Sequence, residues 1–393
     1  MSHEDRFILE ILNPTRLHQK VPYLNRLLKD VKPEILIARA NYHGLSPILY
    51  YLLRKAAPGN SKFSFLLEKL RKEYIEQTAI TMAYDNLLSG VQTILSEKAV
   101  EFIVFKGYIL ANLIYPEPNT RPFSDIDILI RKRDFHKTVR ILRENGFIRR
   151  KFTFPDLPES IIRKYEFSFH LHKKDNIPLN LDIHTNLCES LHPFYFPVEE
   201  FWKNTRNITV KDTEITILGA ENLLISQCIH VLKHFFFKLI WIYDVHRIIE
   251  TLEIDWNKLI EFTRKHGISK VVFWTFILSR ELFDTAVPDY ILSQLSPSKL
   301  NMFTVRRFLT EGAIFRGSIP LGDFSGRILL PLLLMKGPSQ WFSFFLKTAF
   351  PPLEVLEDFY SSKRTSNIPT FYIANRLKAF FYSLKSSVLQ GER

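Results

Sequence analysis

Cysteine is nearly absent. Of 393 residues only Cys188 and Cys228 carry a thiol, too few and too far apart for a disulfide framework or a zinc knuckle. A reducing compartment suits such a chain, and a cytoplasmic location is expected. The opening residues, MSHEDRFILEIL, start with acids and lack the basic-then-apolar order of a secretory signal. Long apolar runs are missing as well. Nothing approaches the roughly 18–20 residues that cross a bilayer, and the stretch from Ile328 to Met335 is short and contains Pro331. These absences exclude an integral membrane protein built from helices. There is also no internal repeat, no low-complexity tract, and no repeated aromatic-and-basic pattern of a dedicated RNA-binding module.

What is present suits a globular chain. An apolar content of 46% with 14% aromatic residues can fill two or three packed units. Lysine and arginine outnumber aspartate and glutamate by 53 to 41, a net charge of +12. That balance suggests an anionic partner such as a nucleotide, a nucleic acid or a membrane surface.

The chain is organised around Glu101 to Asp134. Within it, Ser124-Asp125-Ile126-Asp127-Ile128-Leu129 alternates acid and aliphatic, so Asp125 and Asp127 project from one face of a strand and the isoleucines from the other. Two carboxylates sharing a patch repel each other unless a cation lies between them or one keeps a proton. Hard oxygen ligands of this kind suit Mg²⁺ or Mn²⁺. The same alternation also fits an edge strand with acids on its wet face. The residues before it narrow the choice. Val104-Phe105-Lys106-Gly107 reads as a buried strand ending in a cation and a glycine, followed by a short apolar helix from Tyr108 to Tyr115. Glycine at such a turn lets the backbone approach a phosphate, and the helix N-terminus favours an anion. Phosphate on one side and acids on the other describe a nucleotide site.

Further along, Asp134 is positioned to cap a helix over 135–145 and Gly146 to end it. Phe167 to His172 and Leu179 to His184 both alternate strictly, and the Asp-Asn between them suits a turn, so a β-hairpin is predicted. Apolar residues share a face only with an odd-length loop, and one such as Asp175 to Ile177 pairs His170 with Asp182. Ser168, His170, His172, Asn180, Asp182 and His184 then form one polar face, and Asp182 becomes a third carboxylate if that face adjoins the Asp125 strand. The three histidines raise zinc as an alternative, but the surrounding acids favour a harder ion. His184 is expected to orient Asp182 or to contact substrate. A last strand, Glu214 to Leu218, leads through Gly219 into a helix over 221–236. There His230 and His234 share a face, and with Asp244 they form either a metal-like set or a polar seam between helices.

Residues 1–98 read as a helical region, 99–218 as the α/β core, 219–310 as a helical domain and 311–393 as an aromatic and basic helical region. Phe315 to Phe350, with Trp341, Phe342, Phe344, Phe345 and Lys347, fits a buried helix pair or a membrane interface. Pro351-Pro352 marks a break before a basic tail with Arg376, Lys378 and Lys385.

Lys106-Gly107, Tyr115-Pro116, Arg121, Asp125-Ile-Asp127-Ile-Leu129 and Asp182-Ile-His184 together resemble the polymerase-β-like nucleotidyltransferase superfamily, and within it the bacterial family of uncharacterised nucleotidyltransferases. The resemblance covers roughly residues 34–250. It implies an α+β fold, with a mixed, palm-like sheet flanked by N-terminal and C-terminal helical regions. It also implies transfer of a nucleoside monophosphate from an NTP to a hydroxyl acceptor, which is open among a small molecule, a protein and a nucleic acid. Asp125, Asp127 and Asp182 would hold two Mg²⁺ or Mn²⁺ ions, with Asp182 as general base. Gly107 would admit the phosphates, Lys106 or Arg121 would neutralise them, and Ser124 and His184 would contact the nucleotide. His230, His234 and Asp244 would line the acceptor side. One position departs from the superfamily, which follows the glycine with serine or a second glycine where this chain has Tyr108. That departure admits a competing class, a nucleotide-binding module without transfer. A third class is a peripheral membrane protein that uses the C-terminal stretch.

Overall fold

The computed structural model describes residues 1–13, 17–149, 159–160, 162, 169–173, 179–188, 194, 196–317 and 323–349. Phe167, Ser168, the hairpin loop 174–178 and the tail from 350 onward lie outside them. Seven strands form one mixed sheet: β1 (Phe102–Phe105), β2 (Ile126–Ile130), β3 (Phe147–Arg149), β4 (Phe169–Lys173), β5 (Leu179–His184), β6 (Thr205–Val210) and β7 (Thr213–Leu218). Their order is β3-β4-β5-β2-β1-β7-β6. β2 runs parallel to β5 and β1 parallel to β7, while the remaining pairs are antiparallel. The expected α+β class and mixed sheet are what the chain adopts.

The alternation along β2 divides the molecule. Ile126, Ile128 and Ile130 point to one face, joining Val104, Leu181 and Ile183 in a core closed by α7 (Phe135–Glu144) and the second half of α5 (Ser64–Glu97). Each fully buried side chain of this size contributes about 1.5–3 kcal/mol. Leu129, with Ile103 and Phe105 of β1, points to the other face. There it meets α1 (His3–Leu12), α2 (Leu17–Leu27), α3 (Pro33–His43) and α4 (Ser46–Ala56), together with the later helices 220–233, 239–251, 256–265 and 269–283. Apolar side chains from both ends of the chain therefore occupy a single core on this face. Asp127, Asp182 and His184 lie on the same face, where the apolar surface gives way to a cleft.

Two local expectations change. The helix after Asp134 begins at Phe135 as the pattern predicts, but the Asp134 side chain makes no cap. A 3-10 turn over Lys132–Asp134 leads into the helix and holds Asp134 in a helical conformation, from which its carboxylate does not reach the first N–H groups. β6 was not anticipated. It pairs with β7 through the turn at Lys211 and Asp212, where Lys211 adopts φ 53° in place of the glycine that usually signals such a turn. No helix among the described residues is long and apolar enough to cross a membrane. In the C-terminal region Phe315, Leu330 and Leu334 are buried, whereas Trp341 and Phe342 are exposed.

His43, at the end of α3, fastens the helices beside the cleft. Its Nε2 lies 3.1 Å from the Phe315 carbonyl, and its Nδ1 accepts the Leu239 N–H at 3.3 Å. Burial lowers its pKa to about 4 from an ordinary value of 6.5. A histidine held neutral stabilises the fold fully above pH 6.5, and this contribution is lost as pH falls toward 4, by about 3 kcal/mol at most. Denaturant unfolding followed between pH 7 and pH 4 should show that decline, and His43→Gln should flatten it.

Candidate active site

The register of two strand pairs builds the site. Asp127 on β2 sits directly opposite Asp182 on β5, and His170 on β4 is opposite Asp182 on its other side. The pairing of His170 with Asp182 is the one the hairpin pattern predicts. His170 Nδ1 lies 2.7 Å from Asp182 Oδ2. His184, expected beside Asp182, instead places Nε2 2.7 Å from Asp127 Oδ1. Ligand atoms of Asp127, Asp182 and His184 all fall within 4.8 Å of one another, the one such acid-and-histidine grouping among the described residues. Asp182 Oδ1 is buried and has no hydrogen-bond partner. An orphaned carboxylate oxygen beside a second carboxylate and an imidazole is the donor set of a divalent-cation site. Asp125 stands outside this grouping but lines the same cleft.

Charge in the site is arranged by burial and neighbours. Burial, with Asp127 and Asp182 close by, raises the Asp125 pKa to about 7. Asp127 behaves in the opposite way. Against its burial, Lys106 and His184 hold its carboxyl far below the usual range. Lys106 Nζ lies 2.6 Å from Asp127 Oδ1 and 3.3 Å from His184 Nε2. The repulsion expected of paired acids is thus met in both available ways: one acid tends to keep its proton and the other takes a cation.

The turn after β1 differs from its predicted role. The unusual backbone belongs to Lys106, at φ 61° and ψ −140°, and not to Gly107. Gly107 is required for space instead, since a Cβ there would stand 2.7 Å from Arg121 Nη1. Tyr108 turns away from the cleft. It is buried, donates to Asp85 Oδ1 at 2.7 Å, and packs against Phe123. On the other side of Phe123 lies Tyr84, whose hydroxyl donates to the Ser124 carbonyl and accepts the Asn180 N–H at 3.0 Å. These bonds fix the loop that delivers Ser124 and Asp125 to the cleft.

Arg121 is committed elsewhere than the sequence suggests. Its Nε and Nη2 donate to Asp244 Oδ1 and Oδ2 at 3.3 and 2.8 Å. Asp244, at 0% exposure, also accepts from Tyr115 Oη at 2.7 Å and Gln227 Nε2 at 3.2 Å. Asp244 therefore forms no metal-like set with His230 and His234. The helix carrying those histidines ends at Lys233, and His234 caps it ahead of Phe235 and Phe236, both at positive φ. The His230 and His234 rings are 4.7 Å apart and lie 5.0 and 4.3 Å from Trp241. Burial lowers the pKa of both, His234 to about 4, so neutral imidazoles face the acids across the cleft.

The cleft has a volume of about 550 Å³. Lys106, Gly107, Arg121, Ser124, Asp125, Asp127, Asp182 and His184, all named from the sequence, line it. Lys233, Lys238 and Trp241 line it too and were not singled out. Lys238 holds its ammonium 5.7 Å over the Trp241 ring. The only sequence signal for these residues was their nearness to His230 and His234.

Breaking the buried Arg121–Asp244 pair should unsettle the fold before it affects chemistry. Asp244→Asn leaves Arg121 without its counter-charge, and denaturant unfolding should show a loss of about 3–5 kcal/mol. Gly107→Ala, which pushes Arg121 aside, should cost about 1–3 kcal/mol in the same measurement.

No curated protein matches the chain. A family profile described as "uncharacterised nucleotidyltransferase" matches residues 29–284, a span that includes both carboxylate strands, the Lys106 turn, and the helices bearing His230 and Asp244. With its buried Asp127–Asp182–His184 grouping able to hold a metal ion and its mixed sheet, the chain belongs to the uncharacterised nucleotidyltransferase family.

Proposed function

We propose that the protein transfers a nucleoside monophosphate from an NTP to a hydroxyl acceptor. The observation that carries this reading is the pairing of Asp127 with Asp182 on adjacent strands, in a cleft that also admits the Lys106-Gly107 turn. Mg²⁺ or Mn²⁺ held by Asp127, Asp182 and His184 would supply charge neutralisation and polarise the reacting oxygens. Asp125 adds the carboxylate that a second ion would require.

The chain's own groups do the rest. Asp182, as general base, takes the proton of the acceptor hydroxyl. The acceptor oxygen then bonds to the α-phosphorus, and the bond from that phosphorus to the bridging oxygen breaks, releasing pyrophosphate with the electron pair. Arg121 is occupied by Asp244, so neutralising the phosphates falls to Lys106, Lys233 and Lys238, which line the cleft. Fixed cations of this kind stabilise charge most strongly where water is excluded. Tyr108, the departure that favours a binding module without transfer, is buried against Asp85 and Phe123 and does not line the cleft.

Release of pyrophosphate from a panel of NTPs, measured with Mg²⁺ or Mn²⁺, tests the reading. Asp127→Asn should lower the rate about a hundredfold or more while the far-UV circular dichroism stays that of wild type. Equal rates in the two proteins would refute it.

A further inference from the structure

Lys106 stands where a second cation would have to enter. Its ammonium contacts Asp127 Oδ1 at 2.6 Å and His184 Nε2 at 3.3 Å, and both residues belong to the grouping able to hold a metal ion. Asp127 is its one carboxylate partner among the described residues. The ring of Phe105, the residue opposite Asp127 in the sheet, lies 4.7 Å from the ammonium.

The backbone keeps it there. Lys106 is at φ 61° and ψ −140°, a region glycine enters freely and other residues only when their surroundings hold them. On one side Phe105 is fixed by pairing with β2. On the other, Gly107 opens α6 (Gly107–Ile114) and is pressed against Arg121. A lysine held in this way is built to present its charge to the acids.

Two cations cannot occupy one carboxylate oxygen without strong mutual repulsion. We propose that Lys106 competes with the divalent cation for Asp127 and His184, so that cation binding and the turning of the ammonium toward the nucleotide's phosphates are a single exchange. The inference rests on the nucleotidyltransferase reading and adds to it a cost for cation binding in the absence of nucleotide. Nucleotide relieves that cost by giving the ammonium a new anionic partner. Nucleotide and cation must therefore favour each other's binding reciprocally.

The test measures Mn²⁺ binding to the full chain by electron paramagnetic resonance of the free ion, without nucleotide, at pH 7.5. Lys106→Met should bind Mn²⁺ about tenfold more tightly than wild type, within the usual range of coupling between sites. Lys106→Arg, which keeps the charge, should stay near the wild-type affinity. Unchanged or weaker binding by Lys106→Met, with wild type binding the ion, would overturn the exchange and leave the metal site standing. Failure of wild type and variant alike to bind Mn²⁺ would remove the metal reading and the exchange with it. Should Lys106→Met fold poorly, its melting temperature is followed against Mn²⁺ concentration. A larger rise than in wild type supports the exchange, and an equal or smaller rise overturns it.

Discussion

Asp244 is the point at which the two sides of the cleft are joined. A carboxylate at 0% exposure is tolerated only when its charge and its lone pairs are all answered, and here four donor groups answer them. Arg121 comes from the segment before β2, Tyr115 from the end of α6, and Gln227 and Asp244 from two successive helices. Burial pushes the Tyr115 phenol well above its ordinary pKa, so it remains a donor. Arg247 adds a second tie by donating to the Ile114 carbonyl through Nε at 3.0 Å and Nη2 at 2.8 Å. Sheet and helices are thus held in one relation, and the cleft between them has walls of fixed separation.

Those walls carry unlike charges. The sheet wall carries three aspartates, with Lys106 drawn onto one of them. The helical wall carries neutral imidazoles, an indole and two lysines. On the proposed reading, a triphosphate with a bound cation would complement both surfaces, its metal side toward the carboxylates and its outer oxygens toward the ammonium groups. Arg121, whose place in the chain suggests a phosphate partner, is paired with Asp244 and serves the architecture.

Much of this was readable in the chain because strand alternation has a period of two and allows few registers. The acid–aliphatic alternation of β2 and β5 identified which residues share a face, and the odd-loop argument paired His170 with Asp182. What could not be read are contacts between segments distant in sequence. Arg121 and Asp244 are separated by 123 positions, and no local pattern joins them. Gly107 looked like a phosphate turn because glycine's freedom is the commoner reason for its use, whereas here its small size matters more. β6 was hidden because its turn employs Lys211 at positive φ, a conformation that lysine does not advertise. His184 lines the cleft, but its partner, Asp127, depends on how far the ring reaches across the parallel pair.

The helix α5 carries a consequence of its own. Its 34 residues, roughly 50 Å at 1.5 Å per residue, insert Leu66 and Leu70 into the core on one side of the sheet and Tyr84, Leu88 and Leu95 into the core on the other. The packing of the two cores is thus coupled through one helix. A displacement of this shaft on one side of the sheet is therefore carried to the other through a single continuous element.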